Sequence, residues 1–515
     1  MQGEKEMTAQ ICLIVAIAVY IMVMVIIGVI FSKGNDDTGD FYLGGRGLSP
    51  LVTAMSAEAS DMSSWLLMGI PGLAYICGLS DPFWTCLGLA VGTYLNWLLV
   101  AKRLRRYTEK VQAITIPEFF SKRYKDTKNI MTAVSAIIIV VFFIPYTASG
   151  FAACGKLFNT LFGVNYHVAM VASALIIAMY CTMGGFKAVS TTDLIQSICM
   201  SVAILIVIGF GVVQAGGFGA VMENAKALPG FLSVTNIYDQ ATGTSSSYGV
   251  LRMASMLAWG LGYFGMPHIL VRFMAIDDPE KLKISRRVAS VWVVIAMGLA
   301  IVIGVVGLAM SNAGIIPYLE GSGDAERVII HISNYLSSFG ILPAIIAGVI
   351  LAGMLAATMS TADSQLLSAA SAISSDLLVR FGKKKLSDDT AVKVAKITVV
   401  IISAIAVVIA NDPNSSVFGI VSFAWAGFGA TFGPVVLLAL FWKRSNKEGA
   451  IAGMIAGAVM VFAWKYGISR LGGGFAIYEL LPAFIFALVI NVIVSMLTRE
   501  PDREVIETFE SMKQI

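Results

Sequence analysis

Charge is what this chain has least of. Only 13% of its 515 residues are Asp, Glu, Lys or Arg, and 57% are hydrophobic. Soluble domains carry about 25% charged and 45–50% apolar residues, so a water-facing globular surface is excluded. Histidine is scarcer still, with only His167, His268 and His331. The six cysteines (Cys12, Cys77, Cys86, Cys154, Cys181, Cys199) fall mostly inside apolar runs. None stands at a metal-ligand spacing, and no HExxH occurs, so they read as small apolar packing residues. With no nucleophile–base pair or metal cluster in view, no enzyme activity is expected. The glycine run Gly472–Gly474 has no strand before it and is no phosphate loop. No short apolar core with a small-residue cleavage site opens the chain, so the first span is expected to be retained. The tail 498–515 is short, and no receptor's output domain is expected in it.

What is present is a series of apolar runs. A window of about 19 residues yields about thirteen transmembrane helices in an all-α polytopic membrane protein lying in a lipid bilayer. They fall at 9–31, 50–77, 82–100, 130–160, 166–183, 189–215, 248–270, 288–311, 340–375, 391–410, 416–442, 447–469 and 475–497. An odd count puts the termini on opposite sides. With the N-terminus outside and the tail cytoplasmic, 29 Lys and Arg lie inside and 7 outside. The positive-inside rule favours that orientation. The basic runs at 102–128, 281–287 and 380–385 carry most of this signal and read as topology determinants. Lys156 and Arg252, near outer span ends, are expected to snorkel. His167 and His331 are expected to be solvated or capping, and His268, next to Pro267 in the second break, to have a structural role, with a place beside a pocket as the alternative.

One carboxylate is misplaced for lipid. Asp61 lies inside the run Ala59-Ser60-Asp61-Met62-Ser63-Ser64-Trp65, in the middle of the second span. A charge in hydrocarbon is costly and normally faces a protein interior, water or an ion. Gly69, Pro71 and Gly72 loosen the same span. The seventh span is loosened likewise, by Gly260, Gly262, Gly265 and Pro267. The two interrupted helices are five spans apart. That spacing predicts inverted five-helix repeats, helices 2–6 (50–215) and 7–11 (248–442), each opening with a broken helix. Repeats of this kind set substrate and ions near the midplane.

Spacing in the ninth span offers a cation site, with back-bonding of the two hydroxyls to their own helix as the alternative. Ala357, Ser360 and Thr361 stand at i, i+3, i+4 and share a helix face. Two hydroxyls and the Ala357 carbonyl can join carbonyls of Ala59 and Met62 from the first break. A small hard cation needs about five or six such oxygens.

Four stretches are then recognisable: Ser60–Gly72 (SDMSSWLLMGIPG), Gly184–Asp193 (GGFKAVSTTD), Trp259–Ala275 (WGLGYFGMPHILVRFMA) and Phe423–Val435 (FAWAGFGATFGPV). With them the chain resembles the sodium/solute symporter family, in its bacterial proline-carrying branch, over roughly Phe41 to Leu497. The resemblance implies the leucine-transporter fold in a bacterial cytoplasmic membrane, and uptake of L-proline coupled to sodium. No organic cofactor, nucleic acid or obligate protein partner is implied. It implies a sodium site from Ala59, Met62, Ala357, Ser360 and Thr361, supported by Asp61 and Ser63. It implies a proline pocket from Trp65, Tyr146, Trp259, Tyr263, Phe264 and Pro267, with Asp193 on the cytoplasmic ion path. Two acids depart from the pattern. Glu58 and Asp363 stand where small or small polar residues are expected. They are open to protonation, to pairing with each other or a cation, or to a second ion. The same fold moving another small solute, or coupling to lithium or protons, remains the alternative.

Overall fold

The structure, a computed structural model, describes residues 2–32, 38–383 and 387–512. Lys384 and Lys385 of the basic run at 380–385, and the last three residues of the tail, lie outside them. Among the described residues ten helices are long and apolar enough to cross a membrane, Met7–Ile30 and Ile341–Phe381 among them. The thirteen expected spans therefore do not appear as thirteen uninterrupted helices. The others fall at 50–77, 166–183 and 248–270, where the helices are short or broken.

The second span starts on Ser49, whose Oγ accepts from the Val52 amide at 3.4 Å, with Pro50 in the first turn. The α-helix Pro50–Asp61 ends because Met62 leaves helical geometry, at ψ 61°. The Ser63 amide then bonds the Asp61 carbonyl at 2.8 Å, not Ala59 four residues back. A wide π-turn over Trp65–Gly69 leads into the helix Ile70–Cys77. The seventh span is built of three pieces: Val250–Leu257, a tight 3₁₀ coil Ala258–Gly265, and Pro267–Ala275. Met266 between the last two is extended, at ψ 107°. This span runs on to Ala275, past the expected end at 270, because Pro267 opens a new helix. Gly260 also serves packing, since a Cβ there would strike the Gly88 carbonyl.

The loop expected between 183 and 189 is a kink. The stretch Tyr166–Gln214 is two helices that meet at a kink at Gly185, whose φ of 63° is open to glycine without steric cost. The all-α expectation has one exception, a ribbon pairing Asn236–Asp239 antiparallel with Thr244–Ser247. At the centre, Ile341–Ser371 packs on Pro50–Asp61, Ile130–Phe162 and Tyr166–Gln214.

Lys156 does not snorkel. Its side chain is 0% exposed and its Nζ donates to Glu326 Oε2 at 2.8 Å. It also donates to the carbonyls of Ser415 (2.7 Å) and Gly323 (3.2 Å). Glu326 accepts in turn from Ser416 Oγ and the amides of Val417 and Phe418, capping the helix Val417–Phe441. The ion pair is affordable because every polar atom of both partners finds a bond there. Arg252 is half-exposed, pairs with Asp81 at 2.8 Å, and sits near a span end as expected.

Candidate cation and substrate site

The break after Asp61 leaves the Ala59 carbonyl without its helical partner. Ser360 Oγ fills the gap, donating to it at 2.7 Å and to the Ala357 carbonyl at 3.2 Å. Thr361 Oγ1 donates to the same two carbonyls at 3.5 and 3.3 Å. Four of the five expected oxygens thus converge from two helices, all buried. Their chemistry, hard oxygens with no nitrogen or sulfur among them, suits a small hard cation. Met62 adjoins them at the non-helical turn, but neither hydroxyl bonds its carbonyl.

Asp61 joins the two breaks. Its Oδ2 accepts from Tyr263 Oη at 2.6 Å, and its carbonyl from Trp65 Nε1 at 3.0 Å and Tyr146 Oη at 3.4 Å. Its Oδ1 is buried without a partner. Ser63 Oγ accepts from the Trp65 amide at 3.4 Å and holds the turn. Beside this hub stand stacked rings. Trp259 lies 6.3 Å from Trp65, 5.1 Å from Phe418 and 4.9 Å from Tyr478 between ring centroids. Trp425 meets Trp259 at 6.3 Å and Tyr263 at 5.1 Å, and its Nε1 donates to the Trp259 carbonyl at 2.8 Å.

Two expected pocket residues sit apart from this group. Pro267 lines a separate small cavity with Arg272, Ser364 and Phe186. Phe264 is buried but makes no ring contact with the other expected pocket residues among those described. Sequence reading missed Phe418, Trp425 and Tyr478. Trp425 lay inside a quoted motif, whereas nothing local marks Tyr478, just before the helix Leu480–Leu497.

A second polar cluster surrounds Arg272, whose part in it was unforeseen. Its guanidinium donates to Asp193 Oδ2 (3.2 Å), Ser56 Oγ (3.0 Å), Ser364 Oγ (2.5 Å) and the His268 carbonyl (2.7 Å). Ser56 Oγ donates to Asp193 at 2.6 Å, and Ser364 Oγ to Asp363 Oδ1 at 3.3 Å. Asp193 Oδ1 and Asp363 Oδ2 are buried and unpartnered. Asp363 therefore stands near Asp193, which pairs with Arg272 directly, whereas Asp363 reaches the same arginine through Ser364. Glu58 does not pair with Asp363. Its Oε1 accepts from Thr93 Oγ1 (3.2 Å) and Trp97 Nε1 (3.0 Å), across a different helix face. His268 is fully buried beside Phe143 and Tyr146.

Oxygens gathered at the break of one helix, with a second broken helix bonded to it through Tyr263 and Asp61, are the shape of a secondary transporter, and comparison with known proteins decides which kind. The model of the "Sodium:solute symporter family" matches residues 41–457. The chain belongs to that family. The sodium/proline symporter of Haemophilus influenzae is 41% identical over 507 residues, 97% of each chain. That of Escherichia coli is 40% identical over 95% of this chain and 94% of its own. The osmoregulated proline transporter of Bacillus subtilis is 39% identical over 98% of each. Among solved structures, a sodium-coupled sialic acid symporter in a substrate-bound outward-open state aligns with a TM-score of 0.77. It covers 96% of this chain and 99% of that one at 20% identity, and so speaks for the fold alone. The fold of this family member is that of the leucine-transporter class of sodium symporters.

Proposed function

We propose that this membrane protein is a secondary symporter that couples inward sodium movement to uptake of L-proline. The observation that carries the reading is the convergence of the Ala59 and Ala357 carbonyls with the Ser360 and Thr361 hydroxyls at the first break. Relatives named for proline, matched over nearly their full length, support the choice of substrate.

Sodium takes the four oxygens, with the Met62 carbonyl completing the set. The hydroxyls then turn their lone pairs to the ion in place of donating to the carbonyls. The cation ties Ile341–Ser371 to Pro50–Asp61 more tightly than the hydroxyls alone. That draws in the first break, where Asp61 is already bonded to Tyr263 of the second. Proline is a small zwitterion with an apolar ring. Trp65, Trp259 and Tyr263 supply flat apolar faces, and Tyr146 a hydroxyl near the break. Asp193, Arg272 and Asp363 lie between this site and the side of the basic loops, on the path for ion release. The units 50–215 and 248–442 act as inverted repeats, with the N-terminus outside and the tail cytoplasmic. The chemistry is transport without bond-making.

The test is radiolabelled proline uptake into proteoliposomes, with sodium, lithium and proton gradients imposed separately. Uptake driven by sodium supports the reading. Uptake driven only by protons or lithium, or none of proline, overturns it.

A further inference from the structure

Outside the site, a groove of about 520 Å³ lies between the later part of Tyr166–Gln214 and the helix Leu282–Asn312. Both helices are apolar enough to cross a membrane. The walls are Leu205, Val291 and Ile295, which are 59, 60 and 55% exposed. The floor is Met55 and Ala296, buried to 6 and 4% exposure. Trp292 Nε1 donates to Ser201 Oγ at 3.0 Å, a strut that fixes the two helices at this separation.

One end of the groove is charged. Arg287 lines it, within the basic run 281–287. Lys281 is paired with Asp277, and Arg286 lies over the Tyr94 ring. Among the described residues Arg287 and Lys283 have no acidic partner. From Arg287 to Leu299 a helix rises about 18 Å. One leaflet of hydrocarbon is about 15 Å thick, half of the bilayer's core. The apolar wall running from the cation is thus about as long as one leaflet is deep, which sets Arg287 at headgroup level if the wall faces that leaflet's chains.

We propose that this groove binds one anionic phospholipid, its phosphate on Arg287 and one acyl chain laid from Trp292 to Leu299. An uncompensated guanidinium beside a basic run favours a net negative headgroup over a zwitterionic one. The site reaches the transport machinery through its floor. Met55 stands one turn before Ala59, whose carbonyl accepts from Ser360 and Thr361. A chain seated on Met55 supports the helix Pro50–Asp61 just below its break. This consequence rests on the cation assignment above; the binding itself does not.

The experiment uses the whole protein in nanodiscs of phosphatidylcholine with a minor fraction of phosphatidylglycerol, bromine being placed on the chains of one lipid or the other. The Trp292 contribution is obtained by difference from Trp292→Phe. Brominated phosphatidylglycerol should quench it about fivefold more effectively than brominated phosphatidylcholine at equal mole fraction, the preference one surface guanidinium confers. Arg287→Gln, at an exposed position that packing does not need, should erase that preference and leave residual quenching. Equal quenching by both lipids in the parent would overturn the site as bulk lipid contact. No quenching by either would overturn it in favour of a covered face, as between two copies of this chain. In proteoliposomes, the half-saturating sodium concentration should shift with phosphatidylglycerol content in the parent and not in Arg287→Gln. Parallel shifts in both would overturn the link to Ala59. The quenching arm involves no transport, so its failure is distinct from failure of the symport reading.

Discussion

Single side chains at this site do their work by freeing or filling one backbone group. The Ala59 carbonyl is useful only because Ser63 turns its amide elsewhere, and Ser360 and Thr361 hold it meanwhile. Ser360→Ala combined with Thr361→Ala removes two of about five oxygens. The half-saturating sodium concentration should rise by about tenfold or more while membrane abundance holds. Sodium titration of uptake, beside an immunoblot, checks this; an unmoved sodium curve removes both hydroxyls from the site. Asp193 pairs with Arg272 and Asp363 reaches it through Ser364, so two carboxylates stand around one guanidinium. Asp363→Ser leaves an even charge balance in the cluster. The pH profile or the sodium Hill coefficient of uptake should change, with proline selectivity intact. Sodium and pH curves superimposable on the parent's would make Asp363 a bystander.

Elements are held by what lies at their ends. The Lys156–Glu326 pair ties the helix Ile130–Phe162 to the start of Val417–Phe441, where Glu326 caps two amides. A buried pair broken from one side leaves an uncompensated charge, which costs about 3–5 kcal/mol. Glu326 keeps three other donors, so Lys156→Met should cost about 3 kcal/mol, the lower end. Lys156→Met with Glu326→Gln should be milder than either single change summed. Thermal unfolding in detergent for all three variants decides it; strict additivity would mean the pair is not coupled. The helix Ile116–Arg123, outside the spans, is fastened differently. Burial raises the Glu118 carboxyl, but bonds from Arg380, the Ile114 amide and Lys122 outweigh it and hold it below its ordinary range. A depressed carboxyl stabilises above its unfolded value and loses that contribution as pH falls through the folded one. Stability should therefore drop on acidification below about pH 4, near the ordinary glutamate value. Glu118→Gln should remove that dependence and lower stability at neutral pH. An acid limb of equal steepness in the variant would assign the effect to other carboxylates.

At the scale of the whole molecule, composition and periodicity determined a great deal. Scarce charge and long apolar runs made a helical membrane protein unavoidable, since lipid leaves backbone groups no other partners. Asp61 with Gly69, Pro71 and Gly72 marked the first break, and Gly260, Gly262, Gly265 and Pro267 the second, because a charge avoids lipid and glycine and proline loosen a helix. The i, i+3, i+4 spacing of Ala357, Ser360 and Thr361 put two hydroxyls on one helix face, where they also back-bond to the Ala357 carbonyl. Tertiary structure alone decided where those oxygens point, namely at Ala59, 301 residues away from Ser360 in sequence. It also decided that Lys156 is buried rather than snorkelling, that Arg272 unites Asp193 with Asp363, and that Tyr478 joins Trp259. Each of these depends on residues far apart in the chain. Local sequence sets which conformations a segment can adopt and which face is apolar. Which distant charge or ring arrives opposite a given side chain is set only when the helices pack.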